Sequence, residues 1–370
     1  MMLTDAMGLI LADNRRIQLG PLNQPRALAA VPFAGRYRII DFTLSNMVNC
    51  GIKRVGVVAL TRYKSLMDHV GTGGWWDLDR MRQGLYLIPP YINPVTRAPD
   101  RTDAQGVIDY VESGKQNYVF ISSSDYVSNI RYRPLLDRHL EAGADISVYY
   151  TRGNHQPSPV SMTLELDESS RITDLMVDYP HPTSDLNAFG LVVISKSLLL
   201  QILTEMMARG IADFSIVRLL QHYERFKIQA VEHPGILFRI YDIASYFDAS
   251  MKVLDKEVRQ ELFPSDRPIF TKIKNRAPSI ISPESGKVIN VLASDGCAIM
   301  GEVENSVLFR GSVIGRNARV TNSVLLQDVQ ISEGVVLDQV IVGKNSVIKM
   351  GGRLLGQPGY PIVIAKNSIV

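Results

Sequence analysis

The chain has 370 residues, more than one typical domain holds and enough for two with substantial cores. Its 40 basic and 37 acidic residues leave a formal charge of +3 with no lysine- or arginine-rich block, which argues against a nucleic-acid or anionic-membrane binder. The only cysteines, Cys50 and Cys297, lie far apart without C-x-x-C spacing, so they read as reduced, mostly buried thiols rather than a disulfide framework or zinc site.

The first segment, Met1 to Ala12, lacks a basic n-region and places Asp5 ahead of its apolar run, unlike a secretory signal. No uncharged apolar run reaches the ~18 to 20 residues that span a bilayer, so a cytoplasmic protein is expected. Five short, β-branched-rich runs then read as strands: Gly8–Ala12, Val55–Leu60, Tyr118–Ser122, Ile146–Tyr150 and Phe189–Ile194. Their hydrophobicity is continuous rather than alternating, which suits strands buried on both faces of a sheet. Helical segments lie between them. Thr43–Cys50 ends at Gly51, a natural C-cap, and Arg133–Gly143 has proline near its start and glycine past its end. This alternation predicts a largely parallel, helix-covered sheet. Ala244–Leu254 reads as an amphipathic helix, and the proline-bearing Phe263–Pro268 as a linker.

The last hundred residues change character. Leu308, Ile314, Val320 and Leu326 recur every six residues, and after a four-residue phase slip so do Val336, Val342 and Ile348. A companion series runs through Val329, Val335, Ile341 and Val347, and turn-forming residues follow, as in Ile314-Gly-Arg-Asn and Val342-Gly-Lys-Asn. A fixed period of six predicts a parallel β-helix. A helix would need 3.6, and a plain antiparallel sheet would not hold six over several repeats.

The segment Val31-Pro-Phe-Ala-Gly-Arg-Tyr-Arg-Ile-Ile-Asp-Phe-Thr-Leu-Ser-Asn46, continuing to Gly51, resembles the glucose-1-phosphate adenylyltransferases, the sugar-nucleotide pyrophosphorylases that make ADP-glucose. Gly71-Thr-Gly-Gly-Trp-Trp-Asp-Leu-Asp-Arg80 resembles a second motif of that family, and the likeness spans essentially the whole chain. The resemblance implies an α/β architecture. A Rossmann-like, GT-A-like nucleotidyltransferase domain with a mostly parallel mixed sheet would fill residues 1–243. A linker helix and loop would occupy 244–272, and a left-handed parallel β-helix of hexapeptide repeats 273–370.

Nucleotidyl transfer needs backbone N–H groups around a triphosphate, basic side chains on its phosphates, and carboxylates for Mg2+. Against the family's pattern, each requirement fails here. The glycine-rich phosphate loop is replaced by Ala12-Asp-Asn-Arg-Arg-Ile-Gln-Leu19, with no glycine between Gly8 and Gly20 and with Asp13 where the anion would sit. Arg15 and Arg16 read as solvated loop charges. Leu28 stands at the lysine of R-x-K-P-A-V-P-F, and Tyr179 at the sugar-phosphate lysine of F-x-E-K-P. Asn187-Ala-Phe-Gly190 keeps only the glycine of the sugar-contact S-M-G. Asp125 matches the first metal carboxylate, as a vestige of metal binding or as a strand-end carboxylate in a hydrogen-bond network. Arg239 falls at the second, where a guanidinium repels Mg2+. Asp242 could substitute only if the alignment slips.

The resemblance therefore implies a non-catalytic subunit that binds no metal or cofactor of its own. It would join the catalytic glucose-1-phosphate adenylyltransferase subunit, which uses the Mg2+, in a hetero-oligomer, a heterotetramer in the family's pattern, without nucleic acid or membrane. Arg26 and Arg38 match positions that hold a phosphorylated effector in some relatives, though packing and surface ion pairing explain them as well. A weakly active nucleotidyltransferase using Asp125 and Asp242, and a stand-alone sugar-phosphate or nucleotide sensor, are the alternatives.

Overall fold

The computed structural model describes residues 3–13, 16–59, 61–81, 83–89, 104–153, 161–211 and 214–370. In chain order its N-terminal elements are β1 (Ala6–Leu11), α1 (Ile39–Asn49), β2 (Val55–Val58), α2 (Lys64–Val70), β3 (Leu85–Ile88), α3 (Ala104–Glu112), β4 (Tyr118–Ser123), α4 (Arg133–Ala142) and β5 (Ile146–Arg152). There follow β6 (Met162–Leu166), β7 (Ile172–Val177), β8 (Leu186–Ser195), α5 (Lys196–Ala208), α6 (Ile216–Leu220), β9 (Ile228–Glu232), α7 (Ile243–Lys252) and α8 (Lys256–Leu262). All five expected strands and all three expected helices are present. The strands β3, β6, β7 and β9 come in addition, as do α2, α3, α5, α6 and α8.

The sheet is mixed, in the order β7-β6-β8-β4-β1-β2-β3, with β5 paired to both β8 and β9. β1 pairs parallel with β2 and β4, whereas β8 runs antiparallel to both β4 and β5. The two-sided burial of the strands explains their unbroken apolar sequence. Met7 and Leu9 of β1 enter the core under α3, α5 and α6, while Ala6 and Ile10 enter the opposite core under α1, α2 and α4. α1 stops at Cys50 because Gly51 turns the chain at φ +92°, and α4 stops at Gly143 in the left-handed region. Residues 268–279 carry no regular element before the first strand of the second part, Ile280–Ile281.

That second part is a stack of parallel coils with three short strands each. Val313–Ile314 pairs with Gln330–Ile331, Arg319–Thr321 with Val336–Asp338, and Val324–Leu325 with Ile341–Val342. Each of these partners lies 17 residues on, as in Val313↔Gln330, so one side of each of these coils is a residue short of six. The fully enclosed series is therefore Leu308, Ile314, Val320, Leu325, Ile331, Leu337, Val342 and Ile348. The phase slip is a single residue recurring at one corner, rather than a four-residue break. Leu326 does not join that series. It faces outward with Val307, Phe309, Val324 and Ile341 and packs against Phe33, Phe42, Tyr246 and Phe247 of the N-terminal part. Each such aliphatic side chain removed from water contributes about 1.5–3 kcal/mol, so this stripe binds the two parts firmly. At the corners Asn317 and Asn345 adopt φ of +57° and +58°, a conformation asparagine tolerates, as the Ile-Gly-Arg-Asn and Val-Gly-Lys-Asn sequences foreshadow.

Candidate functional site

The loop after β1 is built from apolar contacts. Ile17, Leu19, Leu22 and Leu28 are buried in one cluster with Phe33, Ile39, Phe42 and Tyr246. Leu28, at the lysine position, is 2% exposed and sits in a short 3-10 turn, Leu28–Ala30. Asn23 closes the loop on itself, accepting from the Leu19 N–H at 3.0 Å and donating to the Ile17 carbonyl at 3.2 Å. Asp13 accepts from the Thr61 N–H at 2.8 Å, which fixes a carboxylate where the family pattern would present donors to phosphate. Arg16 crosses to Asp178, just beyond β7, at 2.5 Å. Arg15 lies outside the described residues. A triphosphate laid on this loop would meet buried apolar side chains and a carboxylate in place of a run of backbone N–H donors, with Arg26 and Arg62 lining the cleft beside it.

Asp125 lies at the end of β4, 3% exposed. Arg239 lies in a two-residue strand, Phe238–Arg239, that pairs antiparallel with Tyr126–Val127, and this register brings the guanidinium to the carboxylate. Arg239 Nη2 donates to Asp125 Oδ2 at 3.0 Å and Nη1 to the Ala188 carbonyl at 3.2 Å, while the Ser123 hydroxyl donates to Asp125 Oδ1. The carboxylate thus sits in a hydrogen-bond network whose cation belongs to the chain itself. Asp242 does not reach it. Its carboxylate caps α7, accepting from the Ser245 N–H at 2.7 Å. A second carboxylate for Mg2+ is absent from the place the family pattern assigns, so these residues do not fit the ion. Burial raises the pKa of Asp178, and Arg16 and then Arg239 draw it back, so the charges Asp125, Arg239, Asp178 and Arg16 alternate across the site.

On the sugar side, Tyr179 is half exposed beside Asp178, and the Asn187 amide donates to the Asp185 carbonyl at 3.0 Å. Gly190 is required by close approach: a Cβ there would fall 1.8 Å from the Ser123 hydroxyl. Ser124, at the glycine of the family's first metal motif, donates to the Leu11 carbonyl at 3.0 Å and ties β4 to β1.

Two arginines behave differently from each other. Arg38 donates to the Ser65 carbonyl and hydroxyl at 2.6 and 2.9 Å, and burial, opposed by Asp41, brings its pKa down to about 10. Asp41 accepts from the Arg38 N–H at 3.0 Å and holds His69 Nε2 at 2.5 Å, which pins α1 to α2. Arg26 is half-buried in a cleft of about 420 Å3 lined also by Asp13, Gln18, Gln24 and Arg62. Burial lowers its pKa too. Both cysteines are free thiols. No described helix is long and apolar enough to cross a membrane. Sequence reasoning missed the Arg16–Asp178 pair and the capping role of Asp242, although the Asp242-x-x-Ser245 spacing is a capping-box signal.

Comparison with known proteins agrees with this layout. A family model described as nucleotidyl transferase matches residues 7–176, and one described as GlmU-like, C-terminal hexapeptide, matches residues 279–356. The glycogen biosynthesis protein GlgD of Geobacillus stearothermophilus is 35% identical over 318 residues, covering 85% of this chain and 82% of that protein. The glucose-1-phosphate adenylyltransferases of Bacillus thuringiensis (strain Al Hakam) and Bacillus anthracis are each 31% identical over 353 residues, covering 93% of both chains.

Proposed function

The chain belongs to the GlgD and glucose-1-phosphate adenylyltransferase family, and from that premise we propose that it is a non-catalytic, regulatory subunit of ADP-glucose pyrophosphorylase acting in cytoplasmic glycogen biosynthesis. The observation that carries this reading is Arg239 paired with Asp125 at 3.0 Å, where the family pattern asks for a second metal-binding carboxylate. A guanidinium cannot ligate Mg2+, and catalysis by this family's chemistry depends on charge stabilisation at the phosphates. The apolar packing of Leu28 and of the loop after β1 supports the same conclusion from a separate part of the site. Losses in parts that act as a unit are strongly non-additive, so the sum predicts negligible turnover.

The role would then be exerted on a catalytic partner, within a heterotetramer in the family's pattern. Docking would stabilise the partner's competent conformation, a shift that requires tighter binding to that state than to the other. Arg26 and Arg38 remain the positions proposed for a phosphorylated effector, Arg26 as a residue lining the cleft and Arg38 as a half-buried arginine whose pKa the Arg26 charge helps to lower. Co-expression with an intact glucose-1-phosphate adenylyltransferase, followed by sizing and kinetics, tests the proposal. A mixed oligomer is expected, with raised ADP-glucose synthesis by the complex and none by this chain alone. ADP-glucose formed from ATP and glucose 1-phosphate by the isolated chain would overturn it in favour of a working transferase. Ligand binding without any mixed oligomer would favour a stand-alone sensor.

A further inference from the structure

The segment Gly71–Arg80, just beyond α2, carries two adjacent tryptophans in opposite surroundings. The family's G-x-x-W-D-L-D-R falls its tryptophan on Trp76 and leaves Trp75 at an open position. Trp76 is 1% exposed and meets His69 edge-on, with ring centroids 5.9 Å apart. Trp75 is 43% exposed, and among the described residues its indole has neither a stacked ring nor a hydrogen-bond partner. The turn that presents it is fixed from below. Gly73 at φ +84° and Asp77 at φ +55° bracket the 3-10 turn Gly74–Trp76. The Gly73 carbonyl accepts from the Trp76 N–H at 2.9 Å and from the Leu78 N–H at 3.1 Å. Leu78 is buried, and Arg80 Nε returns to the Asp77 carbonyl at 3.0 Å. Next to the indole, exposed Gly74 leaves a bare shelf of backbone. A Cβ built there would lie 3.4 Å from Oδ2 of Asp79 and 3.8 Å from Oγ1 of Thr72, so a carboxylate and a hydroxyl border the shelf. Neither group has a hydrogen-bond partner among the described residues.

We propose that this turn is a carbohydrate-binding site that takes a glucose unit of a glucan chain, with Trp75 as its platform. A pyranose ring is apolar on its face, where C–H bonds point, and polar around its rim. A bare indole beside a carboxylate and a hydroxyl has the complementary layout. The sugar face covers the indole, and its hydroxyls reach Asp79 and Thr72, the carboxylate giving the stronger, charge-assisted bond. The rigid turn keeps these groups in place before binding, so little ordering is needed. A protein partner is a poorer fit. A docking anchor is ringed by groups that exclude water, whereas Asp77, Asp79 and Arg80 next to this one are exposed. None of the residues lining the Arg26 cleft belongs to the turn, so the two sites are separate. The choice of an α-linked glucan rests on the role in glycogen biosynthesis, and the site would keep the protein on the polymer whose synthesis it serves.

The test is native electrophoresis of the full chain through gels with and without glycogen, together with titration calorimetry against maltoheptaose. Retardation by glycogen is expected, with maltoheptaose half-saturating at about 1 mM. W75A should weaken binding about tenfold, while W75F, which keeps an aromatic face, stays within about threefold. D79N should weaken it about three- to fivefold by removing the charge from the acceptor, and G74A by a similar factor, because its methyl occupies the shelf without a clash. All three positions are exposed, so unchanged urea midpoints are expected and confirm that the variants fold. The absence of retardation and of saturable binding in the unaltered chain, or equal binding by W75A, would overturn the proposal. So would loss of the mixed oligomer in W75A while glycogen retardation persists, which would make the turn a subunit contact. Glucan binding is measured on the chain alone and does not depend on ADP-glucose synthesis, so its failure leaves the subunit reading intact.

Discussion

Replacing Arg239 with alanine removes the cation from a carboxylate that has almost no water. Asp125 would keep only the Ser123 hydroxyl, and the Ala188 carbonyl would lose its guanidinium donor. Removing one partner of a buried pair typically costs about 3–5 kcal/mol. Here the arginine side chain is 19% exposed, so water can partly replace it, and about 2–3 kcal/mol is the expected loss. Urea unfolding followed by tryptophan emission measures it, because both tryptophans, Trp75 and Trp76, sit in the N-terminal part and report that part alone. The double variant R239A/D125A should lose less than the sum of the single losses, with a coupling of about 1–2 kcal/mol. A loss below about 0.5 kcal/mol in R239A, or strict additivity in the cycle, would show that the pair is a surface-like contact and not the occupant of a former metal position. R239D extends the logic: its unfolding midpoint should rise with millimolar Mg2+ while that of the unaltered chain does not. An Mg2+-insensitive R239D would count against the positional assignment.

Leu28→Ala should lower stability by about 2–3 kcal/mol, the loss appropriate to a core leucine. A change within about 0.5 kcal/mol, as expected for an open phosphate loop, would contradict the apolar packing of Ile17, Leu19, Leu22 and Leu28. His233 gives a pH prediction. Burial, reinforced by Arg267, lowers its pKa from 6.5 to about 4, so between those values the unfolded chain binds a proton that the folded chain refuses. Stability present above pH 6.5 is therefore lost progressively as pH falls toward 4, by about 3 kcal/mol at most from this residue. Burial lowers the pKa of His69 and His139 as well, adding in the same direction. Urea midpoints measured from pH 7.5 to 4.5 should fall, and His233→Gln should flatten the slope; identical slopes would refute the assignment.

Much of the fold was legible because burial leaves a periodic trace. β1, β4 and β8 are covered on both faces, so their sequences are continuously apolar, and Gly51 and Gly143 mark helix ends by the backbone angle they alone adopt easily. β6 and β7 gave no such trace. β7 is the sheet's edge strand and β6 its neighbour, and half-buried residues such as Glu165 and Asp174 interrupt their pattern. The period of six announced the β-helix, but the 17-residue coil did not show. Leu325 and Leu326 are both apolar, one facing inward and the other toward α7 and the N-terminal part, and sequence spacing cannot tell a core contact from an interface contact.

The same division holds for the site. Residue types alone determined what is missing, since no conformation lets Leu28 carry charge or Arg239 ligate a cation, and that conclusion needed only chemistry. Where the remaining groups point was decided by tertiary structure. Asp125 and Arg239 are 114 residues apart and Arg16 and Asp178 are 162 apart, joined only by strand pairing and loop closure. Arg310 looks like any other basic residue in the sequence. Only folding buries it, leaving its Nε and Nη2 without a hydrogen-bond partner, and the energy of a charge depends on what surrounds it in space and not on what flanks it in the chain.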